Sequence, residues 1–414
     1  MTINEISDLL GISQKQLRKL VAAGYIQCTV NGTSYSITNE ELERVKPKIL
    51  DGSLIRATKT TSQDARFGNV KQTPFHRQVN WVDVTREWDN PTNTNLTFVD
   101  LFCGAGGLSK GFELAGLHGI CGLDWFAEAG ETYRRNFNHP FVNGDIKSPE
   151  VKKTFYETVK AGLKGRELDL VAGGFPCQGF SMAGNRIVDD PRNSLYLELI
   201  EIVKELNPRF VVCENVKGLR SMLGGKVEQK ILDDFREIGY EMNVATLCAA
   251  DYATPQKRER VIFIGNRIGV DNLHPKPFLT PDKYITTAQA IGDLVNHPED
   301  VDFNHVPTRH REDMIKRMMA LPEGKSLYKG YSDAWKKCPW NEASCTIKEN
   351  HGGVNIHPLL PRVLTAREMA RLQSFPDDFI FMGPKNKQLV QIGNAVPPLL
   401  GKAIGIAIKA MNSI

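Results

Sequence analysis

A chain of 414 residues is long enough for two to four domains, which excludes a single small module. With 41% hydrophobic and 24% charged residues it is neither a collagen, a coiled-coil rod nor a wholly disordered chain, and a formal net charge of +4 permits a polyanionic partner without selecting one. No run of about 18 apolar residues occurs and the N-terminus lacks a signal-peptide layout, so a folded cytoplasmic protein is expected. The eight cysteines show no CxxC pair or zinc-ligand spacing, so they read as reduced thiols and no metal centre is expected.

Residues 1–50 read as one small unit. Ile3, Ile6, Leu9 and Leu10 form a helical stripe that Gly11 ends, and Ser13 with Gln16 makes a capping box for a second helix ending at Gly24. An apolar run from Tyr25 to Val30, the turn dipeptide Asn31-Gly32, a second run through Ile37 and a helix capped by Thr38 complete a winged helix-turn-helix pattern. The unit resembles excisionase- and MerR-like DNA-binding domains. By that resemblance its second helix, with Lys15, Arg18 and Lys19 exposed beside Gln14 and Gln16, would enter a major groove.

Residues 51–95 lose periodicity and gather Thr, Ser, Gln, Asn and Pro, as a linker that packs locally around Trp81 and Trp88 would. From residue 96 the apolar runs Thr97 to Phe102, Gly119 to Leu123, Asp169 to Gly173, Arg209 to Cys213 and Val261 to Gly265 alternate with helical stretches. This predicts an α/β fold with an open, mostly parallel sheet. Ligands bind such sheets beyond the strand C-termini, where this chain places Phe102-Cys-Gly-Ala-Gly-Gly107, Asp124-Trp125, Gly144-Asp145-Ile146, Gly174-Phe-Pro-Cys177-Gln178 and Glu214-Asn215-Val216.

Gly104, Gly106 and Gly107 let a ligand approach the backbone, and Asp124 is placed to accept ribose hydroxyl hydrogen bonds. Ser109 stands where the dinucleotide fingerprint asks for a third glycine, so a nucleoside without pyrophosphate fits better than NAD. Asp145 adds an acceptor for an adenine amino group. Cys177 follows Pro176 on a tight turn off the sheet edge. Alone it would most often be an inert buried thiol, but the acid Glu214 ending the neighbouring apolar run makes a nucleophile and acid pair plausible chemistry.

These motifs, with Gln256-Lys-Arg-Glu-Arg260, Arg362-Val-Leu-Thr-Ala-Arg-Glu-Met-Ala-Arg-Leu-Gln373 and Gln391-Ile-Gly-Asn-Ala-Val-Pro397, stand in the order of the DNA (cytosine-5) methyltransferases, which the chain resembles over roughly residues 96 to 408. The resemblance implies a Rossmann-like fold and transfer of a methyl group from S-adenosyl-L-methionine to C5 of cytosine in duplex DNA. It makes Cys177 the nucleophile at C6 of a flipped-out base and Glu214 the acid toward N3; Arg258 and Arg260, alternating on one strand face, would hold the base carbonyl and favour the thiolate. Cofactor contacts would come from Phe102, Asp124, Trp125, Asp145, Ile146, Pro176, Leu195, Asn394, Ala395 and Val396, and DNA contacts from Gln178, Ser181 and Arg192 on a mobile loop.

It further implies a catalytic domain at 96–269, a target-recognition region at 270–380 that includes the ninth motif, and a C-terminal segment, 381–414, returning to the catalytic domain. From His305 to Trp340 eight Lys or Arg face four acids, interleaved with Tyr328, Tyr331, Trp335 and Trp340, which suits phosphate and groove contact. A monomer is expected, with a cognate restriction endonuclease in the same system as an optional partner. Methylation of transfer RNA is the second reading, although the Cys-Phe-Thr tripeptide of those relatives is absent. A non-enzymatic DNA-binding regulator is the third, and intact Cys177, Glu214 and Arg260 argue against it.

Overall fold

The computed structural model describes residues 79–176, 194–328, 335–348 and 354–414, with scattered positions among the first 46 residues. The chain divides into two compact units, 1–78 and 79–414.

In the first unit, strands β1 (Thr29–Asn31) and β2 (Ser34–Ser36) pair antiparallel, with Asn31 opposite Ser34. Asn31 is therefore a strand residue and not the first of the turn pair, a shift of one position from the sequence reading. Thr38 accepts a hydrogen bond from the Glu41 backbone N–H at 3.2 Å, as an N-cap does. Ile6, Leu10, Leu17, Ile26, Ile37 and Val45 are buried, which gives the unit its own apolar interior. Gln14, Lys15, Gln16, Arg18 and Lys19 lie outside the described residues.

The second unit begins before residue 96. Strand β3 (Asn80–Val82) pairs in parallel with a strand near residue 274, and Trp88 meets Phe278 edge-on at 4.8 Å. Residues 79–95, placed in the linker from their polar composition, thus belong to the larger unit. A few apolar and charged anchors tie them down where periodicity gave no sign.

The sheet follows: β4 (Thr97–Leu101), helix α1 (Gly107–Leu114), β5 (His118–Asp124), α2 (Ala127–Asn136), β6 (Phe141–Asn143), α3 (Pro149–Leu163), β7 (Leu170–Gly173), α4 (Ser194–Leu206), β8 (Phe210–Val216), α5 (Lys226–Glu237), β9 (Glu241–Cys248), β10 (Glu259–Asn266) and β11 (Leu273–Pro275), the partner of β3. Seven strands form one sheet in the order β6-β5-β4-β7-β8-β10-β9, parallel from β6 to β8 and antiparallel through β10 to β9. The predicted open, mostly parallel sheet is present. Its connections run in opposite directions on either side of β4 and β7, so the crevice beyond those two strands is the switch point where ligands of such sheets bind.

Both faces are covered, and the period-two alternation of the strands sorts side chains between them. Val99, Leu101, Val171, Val211, Cys213, Val261 and Phe263 enter one core, whereas Phe98, Leu170, Ala172, Phe210, Val212, Ile262 and Ile264 enter the other. This two-sided burial is why these strands read as continuous apolar runs. Strand β9 did not, because Glu241, Asn243 and Thr246 interrupt its apolar residues.

The remaining helices are α6 (Thr287–Ile291), α7 (Glu312–Ala320), α8 (Ala366–Leu372), α9 (Lys385–Asn394) and α10 (Pro398–Asn412). A third core joins α8, α9 and the loop residues Cys338 and Ile347 to Tyr133 of α2 and to Phe137 just after it. Helix α10 packs on α1, and its buried Lys409 donates to the Glu87 carboxylate and to the carbonyls of Thr92 (2.6 Å) and Ala115 (2.9 Å). The C-terminal segment therefore returns to the sheet.

Candidate active site

Beyond β4 the backbone turns through Phe102 (φ 57°), Gly104 (φ 52°) and Gly106 (φ 89°), the last capping α1. Phe102 accepts this left-handed conformation without being glycine, a local strain of the kind that collects at binding loops. Gly104 also takes the left-handed conformation, which favours glycine, and a Cβ there would meet nothing within 4 Å, so this turn faces open space. Gly107 is held from the other side, where a Cβ would come within 2.2 Å of the Val396 carbonyl and 3.2 Å of the Ala395 Cβ. Cofactor loop and tenth motif are thereby in contact across 288 residues of chain (395 − 107).

Asp124, the last residue of β5, is buried and accepts hydrogen bonds from the N–H of Gly104 (2.8 Å) and of Phe126 (2.8 Å). Burial pushes its carboxyl pKa up while those backbone bonds pull it down. Its carbonyl accepts from Gly144 N–H at 3.0 Å, which keeps the Asp145 turn alongside; Asp145 is exposed and Ile146 buried. Trp125 is 75% exposed beside this loop, an aromatic face left bare for stacking. Phe102 and Leu195 border the core that contains Ile146, Pro176 is exposed after β7, and Asn394 is exposed where α9 ends.

Glu214 lies inside β8 and not after it, because the strand continues to Val216 along its antiparallel partner β10. In that register Ile262 stands opposite Glu214 and Arg260 opposite Val216, so Arg260 and Glu214 share one face as diagonal neighbours. Their Nε–Oε1 distance is 2.8 Å, and both side chains are mostly withdrawn from solvent. Burial lowers the Arg260 pKa, with Glu214 opposing. On the other face of β8, Asn215 donates from Nδ2 to the Phe175 carbonyl at 2.9 Å and accepts from Val216 N–H through Oδ1. The acid strand thus fixes the chain just before Pro176. Gly174 leaves room for the acid: a Cβ there would lie 3.1 Å from Glu214 Oε2.

Arg258 corrects the sequence reading. It was expected beside Arg260 facing a base, but it is fully buried and donates to the carbonyls of Ile347 (2.9 Å), Gly393 (3.0 Å) and Ala395 (3.0 Å). Burial drives its pKa well down, and Arg260 adds to the effect. The last two carbonyls flank Asn394, so Arg258 is a positioning residue for the tenth motif. Gln256 extends the same hub, donating to the Leu372 carbonyl (3.1 Å) and to Gln373 Oε1 (2.9 Å) and accepting from Ile347 N–H (2.7 Å). Gln373 in turn donates to the Ile392 carbonyl at 2.7 Å. Gln256, Gln373 and Asn215 had no role assigned from the sequence; Asn215 stands just after the apolar run Phe210 to Cys213, whereas Gln256 and Gln373 sit among other polar residues and carry no local signal.

In the ninth motif Thr365 and Glu368 form a capping box for α8, and Glu368 also receives both Nη groups of Arg362, at 2.8 and 2.7 Å. Arg367 is buried and donates to the carbonyls of Phe303, Pro376 and Phe379. Arg309, Arg311, Lys316, Arg317 and Lys325 are exposed in the basic stretch, and Arg317 sits over the Tyr328 ring at 5.0 Å. Trp335 and Trp340 are half-buried, and Trp340 packs against the third core. Cys177, Gln178, Ser181, Arg192 and Tyr331 lie outside the described residues. Among the described residues no cluster of His, Cys, Asp and Glu suits a metal ion.

A doubly wound sheet with a glycine-rich loop and an acid and arginine beside its switch point is the architecture of a methyltransferase. Residues 96–410 match the C-5 cytosine-specific DNA methylase family, and the chain belongs to that family. It is 37% identical over 334 residues to the Type II methyltransferase M1.HphI of Haemophilus parahaemolyticus, covering 77% of this chain and 88% of the relative. It is 31% identical over 435 residues to the Type II methyltransferase M.Eco47II of Escherichia coli, covering 98% and 94% respectively. Among solved structures, a DNA modification methyltransferase encoded within an E. coli prophage aligns with a TM-score of 0.63 and 26% identity, over 77% of this chain and all of that one. The chain is a DNA cytosine-5 methyltransferase.

Proposed function

We propose that the protein methylates C5 of a cytosine extruded from duplex DNA, using S-adenosyl-L-methionine, in the bacterial cytoplasm and as a monomer. The open face at Gly104, the buried carboxylate of Asp124 and the bare ring of Trp125 fit an adenosine group with its ribose on Asp124. Phe102, Gly106, Gly107, Asp145, Ile146, Pro176, Leu195, Asn394, Ala395 and Val396 would line the rest of the pocket. The bound cofactor supplies an electrophilic methyl group.

The protein's own work is to make C5 nucleophilic. Cys177 as thiolate would add to C6 and turn the ring into an enamine, whose C5 can then form a bond to the methyl group as that group's bond to the donor sulfur breaks; loss of the C5 proton and expulsion of the Cys177 thiolate would restore the ring. Glu214, protonated toward N3, relieves the negative charge that develops during addition. Arg260 holds the base carbonyl oxygen and orients Glu214. The observation that carries this reading is the Glu214–Arg260 pair on the strand whose Asn215 holds the chain before Pro176. Gln178, Ser181 and Arg192 would contact the DNA backbone, with the exposed cations of the 305–340 stretch on the target-recognition side. Residues 1–50 would form a helix-turn-helix with Lys15, Arg18 and Lys19 toward DNA, followed by the linker.

The test is incubation with tritiated cofactor and either duplex DNA or transfer RNA, with Cys177→Ser as control. Label in DNA alone, absent in the variant, is expected. Label confined to RNA, or undiminished label with the variant, contradicts the reading. A paired endonuclease would be revealed by protection of methylated DNA in a lysate of the source strain.

A further inference from the structure

The segment that supplies Ile347 to the buried hub carries two thiols outside the methyl-transfer site. Cys338 is fully buried and Cys345 half-buried, and their sulfur atoms lie 3.7 Å apart, in van der Waals contact. Each has a polar neighbour. Asn355 Nδ2 donates to Cys345 Sγ at 3.3 Å, and the Ser344 hydroxyl donates to Cys338 Sγ at 3.4 Å. A hydrogen bond between the two thiols and the positive field of Lys336 lower the Cys345 pKa against the opposing effect of burial, whereas that bond and burial raise the Cys338 pKa. Half-buried Cys345 is thus the more readily ionised of the two, and fully buried Cys338 lies in contact with it. An attacking and a resolving cysteine have this division of labour.

The segment between them is held on both sides. Cys338 N–H donates to the Ile356 carbonyl at 3.0 Å, Ser344 exchanges backbone bonds with Pro255 (3.0 Å) and Lys257 (2.8 Å), and Ile347 meets Gln256 and Arg258. A covalent link across it would be felt at the arginine motif.

We propose that Cys338 and Cys345 form a reversible oxidation site that takes a hydroperoxide. The Cys345 thiolate attacks the distal oxygen, the O–O bond breaks, and the leaving alkoxide or hydroxide picks up a proton as Cys345 becomes a sulfenic acid. The Cys338 sulfur then attacks the Cys345 sulfur and expels the hydroxyl, which leaves as water with the Cys338 proton. Two thiols lose two electrons in all, and the hydroperoxide is reduced to an alcohol, or to water, plus one water. A dithiol reductant reverses the link. This inference is independent of the methyl-transfer reading.

The experiment treats the full-length protein with hydrogen peroxide, blocks free thiols, digests with trypsin and weighs the peptide 338–348, which contains these two cysteines and no other. Loss of two hydrogen atoms, restored by dithiothreitol, is expected in wild type and equally in Cys177→Ser. In Cys338→Ala, Cys345 should accumulate sulfenic acid trapped by dimedone at least tenfold above wild type. Both cysteines remaining alkylatable at peroxide levels that oxidise Cys177, or equal dimedone labelling of Cys345 in wild type and Cys338→Ala, overturns the proposal.

Discussion

Arg258 and Arg260 stand two residues apart in one motif and serve opposite regions of the molecule. Arg260 pairs with Glu214 and both side chains keep some exposure to solvent, whereas Arg258 is enclosed in a hub of backbone carbonyls that, with Gln256, joins the arginine, ninth and tenth motifs. In the proposed function the Arg260 charge serves chemistry, whereas the Arg258 charge bonds the backbone carbonyls of Ile347, Gly393 and Ala395. The two regions should therefore fail differently when altered.

Glu214→Gln should separate them most sharply. Removing the acid while keeping its shape is expected to lower kcat by about 10²–10⁴-fold with cofactor affinity and melting temperature near wild type. A variant that loses cofactor binding in parallel would move Glu214 into the hub. Arg258→Ala should do the reverse, leaving three buried carbonyls unpaired at roughly 1–3 kcal/mol each. Urea denaturation should register a loss of several kcal/mol and cofactor KM should rise, whereas an unchanged midpoint would group Arg258 with Arg260. Lysine should rescue it poorly, because one ammonium cannot reproduce the planar fork that spans Ile347 and the two carbonyls flanking Asn394.

Asp100 offers a pH-dependent handle on the sheet that carries the cofactor loop. It is fully buried, accepts from the Ser109 hydroxyl at 2.6 Å, and burial pushes its pKa up to about 7. Because the folded value lies above the unfolded one, the native state holds a proton that the unfolded chain releases between about pH 4 and 7. This group therefore costs stability as pH rises through that window and adds no further slope above it. In Asp100→Asn the slope should disappear, so the melting temperature of the variant should gain on wild type from pH 4 to 7. Parallel curves would contradict the assignment. Asn215→Ala is a smaller change, expected to cost about 1 kcal/mol of stability for a lost hydrogen bond, but turnover should fall by more than that figure implies because the Phe175-Pro176 turn loses its anchor. Equal losses in both measurements would make Asn215 merely structural.

The sequence exposed the Glu214 region better than the hub, for physical reasons. Strands buried on both faces announce themselves as apolar runs, and Gly104, Asp124 and Glu214, which follow those runs in the chain, stand out because a glycine turn or an acid is costly there without a purpose. Arg258 looked like Arg260 because period-two spacing gives the face of a strand; it cannot show that loops far along the chain close over one residue and not the other. The hub partners Gln256 and Gln373 are paired across 117 positions of chain, and no local pattern encodes such a pairing. Residues 79–95 were hidden similarly, since Lys409 and Lys402, which hold Glu87 and Trp88, lie more than three hundred residues away. Glu214 was placed one step too late because β10 extends β8 beyond its apolar run.

Methyl transfer as proposed requires a sulfur–carbon bond between Cys177 and a cytosine ring held by Glu214 and Arg260. Duplex DNA carrying 5-fluorocytosine at the methylated position lets that bond form and blocks its release, since fluorine cannot leave C5 as a proton does. With S-adenosyl-L-methionine present, a denaturation-resistant protein–DNA complex is expected for wild type and none for Cys177→Ser. Efficient methylation of the ordinary duplex with no trapped complex on the fluorinated one would contradict it.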